Sequence, residues 1–211
     1  MTGERRTPRR PAMLDAEDAE YIVGDEDPAQ GSALAHSSAW ALMGVGDDEI
    51  GPDAVRSLRD TVRAEGVDLL APLWSRSPET TLPGAMWRLY LFSEWYRRDP
   101  DSMVRRFAEG AKARVIPGLE HPVDIPQLSA VVDEVDALLR GERTDDDLDT
   151  VITATSRALR ILSAGERLGA SWILDEDDPL AHPVTVRAQA LLRTADELDE
   201  AARHAEVGTL N

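Results

Sequence analysis

The chain has 211 residues, a formal net charge of −17, 42% hydrophobic and 30% charged residues, and no cysteine. Length and balance suit one globular domain, or two small lobes sharing a core. The missing cysteine excludes a disulfide framework, a Cys-ligated metal and a thiol nucleophile, and the negative charge opposes generic binding to nucleic acid or anionic lipid, which rests on neutralising phosphates.

No apolar run approaches the ~20 residues needed to span a bilayer, so no membrane partner is expected. MTGERRTPRRP has no apolar stretch behind its arginines, so it does not read as a secretory signal and a cytoplasmic location is expected. Of the 23 basic residues only Lys112 is lysine, a codon-usage pattern of high-GC bacterial genomes. Charge is unevenly spread: Arg76–Arg114 holds eight basic residues against five acidic, and the first eleven residues hold four Arg against one Glu. The rest of the chain is correspondingly acidic.

In chain order, residues 1–28 read as a basic and then acidic N-terminal segment, disordered in part. Its Glu17-x-x-Glu20 places two carboxylates on one helical turn, but an acidic solvated segment explains it as well. An N-terminal helical lobe is expected over 29–114. Ser32–Val45 is its first helix, with Leu34, Ser38, Ala41 and Val45 as the inward stripe. The Gly- and Asp-rich connector after it lacks the Gly-Lys-Ser/Thr of a P-loop and the alternate acids of a calcium loop. Pro52 suits the first position of a second helix, with Val55, Leu58 and Val62 buried and Gly66 at its end. Val67–Trp74 supplies a short helix interrupted by Pro72.

Thr81–Pro100, TLPGAMWRLYLFSEWYRRDP, holds two of the five Trp, two of the three Tyr and one of the two Phe. Pro83-Gly84 reads as a loop, and the helix after it is apolar almost all round in its first half, the mark of burial on several sides. Glu94 and Arg98 are i,i+4 neighbours in the favourable order. Asp99-Pro100 stops the helix. A further helix over 101–114 is expected to turn Met103, Val104 and Phe107 inward and Arg105 and Arg106 elsewhere.

Residues 115–126, with three Pro and a Gly, are the expected connector to a C-terminal helical lobe over 127–211. There, Pro126–Arg140 forms a helix ending at Gly141, and Thr144 with three following Asp caps a helix that runs to about Leu168. The last helix, 184–206, carries a seam of Val184, Ala188, Leu191, Ala195, Leu198, Ala202 and Ala205. The seam is expected to pack antiparallel on the preceding helix as a hairpin, and it also permits a homodimer. No alternating β pattern appears. The fold expected is all-α, a multi-helix bundle of seven or eight helices with a C-terminal hairpin.

No catalytic, cofactor or metal residues are assigned. HExxH, GxSxG and GxGxxG are absent, and the four His, at 36, 121, 182 and 204, are far apart. His36 lies beside Ser37 and Ser38 without a nucleophile turn, and His121 has Glu120 and Asp124 near it in a Pro-rich loop. Glu197-x-x-Glu200 resembles half of the acidic motif of all-α nucleotide pyrophosphohydrolases, whose helix-borne carboxylates hold magnesium; the paired ExxD is missing, and both residues read as a solvated face.

The reading ranked first is a non-enzymatic helical adaptor or regulatory protein acting through protein–protein contacts. Interface hot spots favour Trp, Tyr and Arg, and 87–106 is rich in all three. A nucleic-acid-associated regulator using the 76–114 face ranks second and a magnesium-dependent nucleotide-hydrolysing enzyme third. Arg88, among aromatic residues, is expected to hold a buried acidic partner. Arg97, Arg98, Arg105 and Arg106 are assigned to a partner-binding surface, because few acids lie nearby to neutralise them. Trp87 is expected to be enclosed, in which case Trp87→Ala costs ~3–5 kcal/mol.

Overall fold

The computed structural model describes residues 28–46, 50–165 and 188–210. Among these the chain forms α1 (Pro28–Leu42), α2 (Pro52–Glu65), α3 (Ala71–Trp74), α4 (Leu82–Arg98), α5 (Pro100–Gly110), α6 (Leu128–Leu139), α7 (Leu148–Ala164) and α8 (Ala188–Glu206). Single 3₁₀ turns occupy Val67–Leu69 and Asp145–Asp147, and no strand occurs among the described residues. The architecture is the all-α bundle expected from the periodicity. No helix among the described residues is long and apolar enough to cross a membrane.

Helix α4 is the axis of the bundle. It packs against α1, α3, α5, α6, α7 and α8, and Leu82 through Met86 are all buried, as are Leu89, Leu91, Phe92 and Trp95. Its start differs from the expected one. Thr81 is the N-cap: its Oγ1 accepts the Gly84 N–H at 3.2 Å and donates to the Pro78 carbonyl at 2.7 Å. Pro83 and Gly84 therefore lie in the first helical turn, not in a loop. Proline is tolerated there because its missing N–H would be unpaired in any case. Gly84 is required by close approach, since a Cβ at that position would sit 1.9 Å from the Pro78 carbonyl oxygen.

Two further glycines set how α5 crosses α7. A Cβ on Gly110 would lie 1.8 Å from the Ile161 carbonyl oxygen, and one on Gly165 would lie 2.0 Å from that of Arg106. Each helix thus presses a glycine against the other's backbone. Helix α7 ends at Ala164, with Gly165 as C-cap, rather than near Leu168.

The inward faces of α1 and α5 differ from the expected stripes. On α1, Ala35, Ser38, Ala39, Ala41 and Leu42 are buried, whereas Leu34 is 51% exposed. Ser38 belongs inside because its Oγ accepts the indole N–H of the buried Trp74 at 3.1 Å. On α5 the buried set is Met103, Arg106, Phe107 and Gly110, and Val104 is 47% exposed. That set has the i, i+3, i+4, i+7 spacing of a helical stripe; an arginine occupies one of its positions.

The remaining elements follow local chemistry. Helix α2 begins at Pro52, buries Val55 and Val62, and ends at Gly66. Helix α6 closes with the Gly141 N–H on Leu138 and the Glu142 N–H on Ala137, with Gly141 at φ +66, the left-handed Schellman ending. Thr144 and Asp147 form a capping box ahead of α7. Helix α8 runs antiparallel to α7: Asp145, Leu148 and Asp149 lie beside Ala205, Glu206 and Leu210, and Ser156 Oγ donates to the Ala195 carbonyl at 3.0 Å. Leu191, Ala195, Leu198 and Ala202 of the expected seam are buried; Val184 lies outside the described residues. One hydrophobic cluster joins residues from all eight helices.

Gly110→Ala tests the α5–α7 crossing. At an unhindered helix interior this change stabilises by roughly 0.5–1 kcal/mol. Here the added Cβ meets a main-chain carbonyl, so a loss of ~1–3 kcal/mol or more is expected. Thermal unfolding should show a melting temperature lowered by several degrees, and a raised one would contradict the crossing.

Candidate functional site

The four arginines assigned to a partner surface do not share one environment. Arg97 and Arg98 end α4 and both reach the carboxylate of Glu94, Arg98 through Nε at 3.2 Å. Glu94 is buried, while the two arginine side chains stay 53% and 42% exposed. Arg105 is exposed on the outer face of α5, next to Val104. Arg106 does not point outward as expected: it is 6% exposed, its Nε donates to the Leu162 carbonyl at 2.8 Å, and its guanidinium carbon lies 5.9 Å from the centroid of the Trp95 ring. Leu162 is in the last turn of α7, at the negative end of the helix dipole, and its carbonyl accepts both Arg106 and the Gly165 N–H. Arg106 is therefore placed as an interior brace, and the surface at this corner consists of Arg97, Arg98 and Arg105.

Arg88 has the acidic partner that its aromatic setting requires. Its Nε lies 2.7 Å from Glu197 on α8, and its Nη1 donates to the Gly84 carbonyl at 2.9 Å. Glu197 is thus drawn against α4 and is not part of a solvated face. Glu200 pairs with Arg203 and, at 3.2 Å, with His204. Both members of the Glu-x-x-Glu motif are occupied by cations.

An ionic junction between α7 and α8 was not legible in the sequence. Arg160 of α7, its side chain 9% exposed, places Nη2 at 2.5 Å from Asp196 and 2.6 Å from Asp199, and Nη1 at 3.4 Å from the Pro117 carbonyl. Burial works against its charge, but the hydrogen bonds it donates to the two carboxylates, with their negative charge, outweigh it and hold the guanidinium's pKa above its usual range. The i,i+3 spacing of Asp196 and Asp199 is the one sequence signal that hinted at such a cation.

The aromatic residues of α4 divide. Trp95 is enclosed, but Trp87 is only half-buried. It stacks on Tyr90 with ring centroids 5.5 Å apart and planes 24° apart. The expected full enclosure of Trp87 is corrected accordingly: its ring walls a cleft of ≈ 250 Å³ between the 75–77 turn, α4 and α8, with Ser75, Ser77, Arg88, Arg193, Thr194 and Glu197 around it. Tyr90 is anchored through its hydroxyl, which donates to Asp68 at 2.8 Å. Burial first, then that hydrogen bond and the negative charges of Glu94 and Asp68, push its pKa well above the usual phenol range.

Two other clefts flank α7. One of ≈ 320 Å³ is lined by Trp40, Asp145, Asp146, Asp149 and Glu206. The other, ≈ 280 Å³ and largely apolar, lies between α6 and α7 around Ala130, Val131, Val151 and Ala154. Among the described residues no three His, Asp or Glu side chains gather in a way that could hold a metal. His36 and His121 sit on the carbonyls of Ser32 and Arg114. His204 links Glu200 to Thr209, with Thr209 Oγ1 3.2 Å from Nδ1. Glu200 and His204 are half-buried and Thr209 is exposed just past the end of α8. Glu17, Glu20 and His182 lie outside the described residues.

Tyr90 offers a direct test of the α4 edge. A pKa raised on folding means that its contribution to stability is complete below the unfolded value of about 10 and is lost as pH rises through the folded one. Spectrophotometric titration should show a tyrosinate step displaced to high pH that disappears in Tyr90→Phe. If the variant's titration matches the parent's, the Tyr90–Asp68 anchor is wrong.

Comparisons of the chain with protein-family models, with curated proteins and with solved structures returned no match.

Proposed function

We propose that the protein is a non-enzymatic helical adaptor or regulatory protein acting through protein–protein contacts, with the corner where α4 meets α5 as a partner-binding surface. The observation that carries this reading is the orientation of α5. With Met103, Arg106, Phe107 and Gly110 inward, Val104 and Arg105 project outward together. Arg97 and Arg98, exposed at the end of α4, are separated from the start of α5 by Asp99 alone. Arginine is enriched in interface hot spots, and Val104 adds an exposed apolar contact beside Arg105. Arginine binds carboxylates in a planar, bidentate manner, so the matching partner presents acids. The net charge of −17 weighs against a nucleic-acid partner.

The variant Val104→Glu/Arg105→Glu tests the surface without disturbing Glu94 or Arg106. Both changes are on the outer face of α5, so the melting temperature should not move. In quantitative affinity capture from the native host, proteins enriched by the parent chain should fall about tenfold or more, equivalent to ~1.4 kcal/mol. Equal recovery of the same proteins by parent and variant would show that the corner is not the binding surface.

A further inference from the structure

The cleft beside Trp87 differs in kind from the α4–α5 corner, because only one of its two cations is paired. Arg88 is neutralised by Glu197 at 2.7 Å. A second carboxylate entering beside Arg88 would meet Glu197. Arg193, one turn before Glu197 on α8, is exposed and has no ion pair among the described residues. Ser75 and Thr194 give their hydroxyl protons to the carbonyls of Pro72 and Ala190, at 2.7 Å and 3.1 Å. Arg193 and Ser77 are left as donors for an incoming anion. The Trp87 ring lines the same cleft and stacks on Tyr90. An aromatic face beside a guanidinium suits a group with an apolar body and a negative head.

The size restricts the ligand further. A volume of ≈ 250 Å³ is below the roughly 300–1,000 Å³ of sites that enclose drug-sized molecules. It suits side chains better than a whole nucleotide.

We infer that this cleft is a docking site for an acidic–apolar element of a protein partner: a carboxylate held by Arg193 and Ser77, with a neighbouring apolar side chain laid on Trp87. The inference rests on the adaptor reading and gives it a second, chemically distinct contact.

The test is a titration of ¹⁵N-labelled full-length protein, followed by heteronuclear NMR. The probes are an acetylated and amidated leucyl-glutamyl-leucine peptide, its glutaminyl counterpart, and inorganic phosphate. The acidic peptide should shift the Trp87 indole N–H and the Ser77 and Thr194 amides in a saturable way, with the glutaminyl peptide about tenfold or more weaker. Arg193→Glu, at an exposed position, should weaken the acidic peptide by a similar factor with the melting temperature unchanged, and Trp87→Ala should remove the preference for a flanking apolar residue. The proposal is overturned if no saturable shift appears up to about 10 mM peptide, if both peptides bind equally, or if Arg193→Glu binds like the parent. It also falls if phosphate alone saturates the same resonances with the peptide's affinity, which would make the cleft a free-anion site. Should the peptide fail while Val104→Glu/Arg105→Glu still loses its captured proteins, the cleft proposal falls and the adaptor reading stands. If the peptide binds and that variant loses nothing, the cleft stands and the corner falls.

Discussion

The enclosure of α4 on several sides is the constraint from which the rest of the bundle follows. A helix whose first turn is buried at every position from Leu82 to Met86 has no solvent face there to orient it. Its neighbours must close around it, and six of the other helices do so. Close packing then limits what can stand at the contacts. The Pro78 carbonyl reaches the α4 backbone only because residue 84 is glycine, and the α5–α7 crossing brings main chain against main chain only because residues 110 and 165 are. Interiors packed to this density do not relax cheaply around an added methyl group.

Arginine is the material that fastens the outer helices to this axis. Arg59 and Arg63 of α2 converge on the Gly141 carbonyl, each with a nitrogen at 3.0 Å, at the end of α6. Arg106 of α5 meets the Leu162 carbonyl in the last turn of α7, and Arg160 joins α7 to α8 and to the connector at Pro117. Three of these contacts place a cation at or just past the C-terminal end of a helix, where the dipole is negative. Hydrogen bonds of this charged type are each worth about 1.5–3 kcal/mol, more than the ~0–1 kcal/mol of an exposed ion pair. Guanidinium suits the role because its fork meets a carbonyl, a carboxylate or a ring face without losing charge. In a chain with a single lysine, most interior cation positions fall to arginine.

That division of labour gives meaning to the arginines that remain outside. Arg97, Arg98 and Arg105 at the α4–α5 corner and Arg193 in the Trp87 cleft are exposed residues, the first two also paired with Glu94, and they stand near Val104 in one case and Trp87 in the other. Both places join a cation to an apolar group. They differ in setting: the corner joins the end of one helix to the start of the next, whereas the cleft lies between the 75–77 turn, α4 and α8 and holds one paired and one unpaired cation.

Periodicity, capping and composition determined a large part of the protein. The all-α class, the buried α4, the Pro52 start and Gly66 stop of α2, the Gly141 stop of α6, the Thr144 cap and the α7–α8 hairpin all follow from patterns read within a turn or two of chain, because helix ends and amphipathic stripes are set by local backbone chemistry. Tertiary structure decided the rest. Gly84 reads locally as a breaker, yet it is a contact residue, because the carbonyl it accommodates belongs to Pro78 across a turn. Arg106 reads as a surface charge, yet it is interior, because the Leu162 carbonyl and the Trp95 ring are brought to it by α7 and α4. Trp87 reads as core, yet it walls a cleft, because the 75–77 turn and α8 leave a gap beside its ring. Arg160 has no local signature, since its acids lie on another helix. A side chain's polarity is written in the sequence, but its partner is not: the partner that makes burial of a charge affordable, or leaves an aromatic ring open, arrives only when distant helices pack.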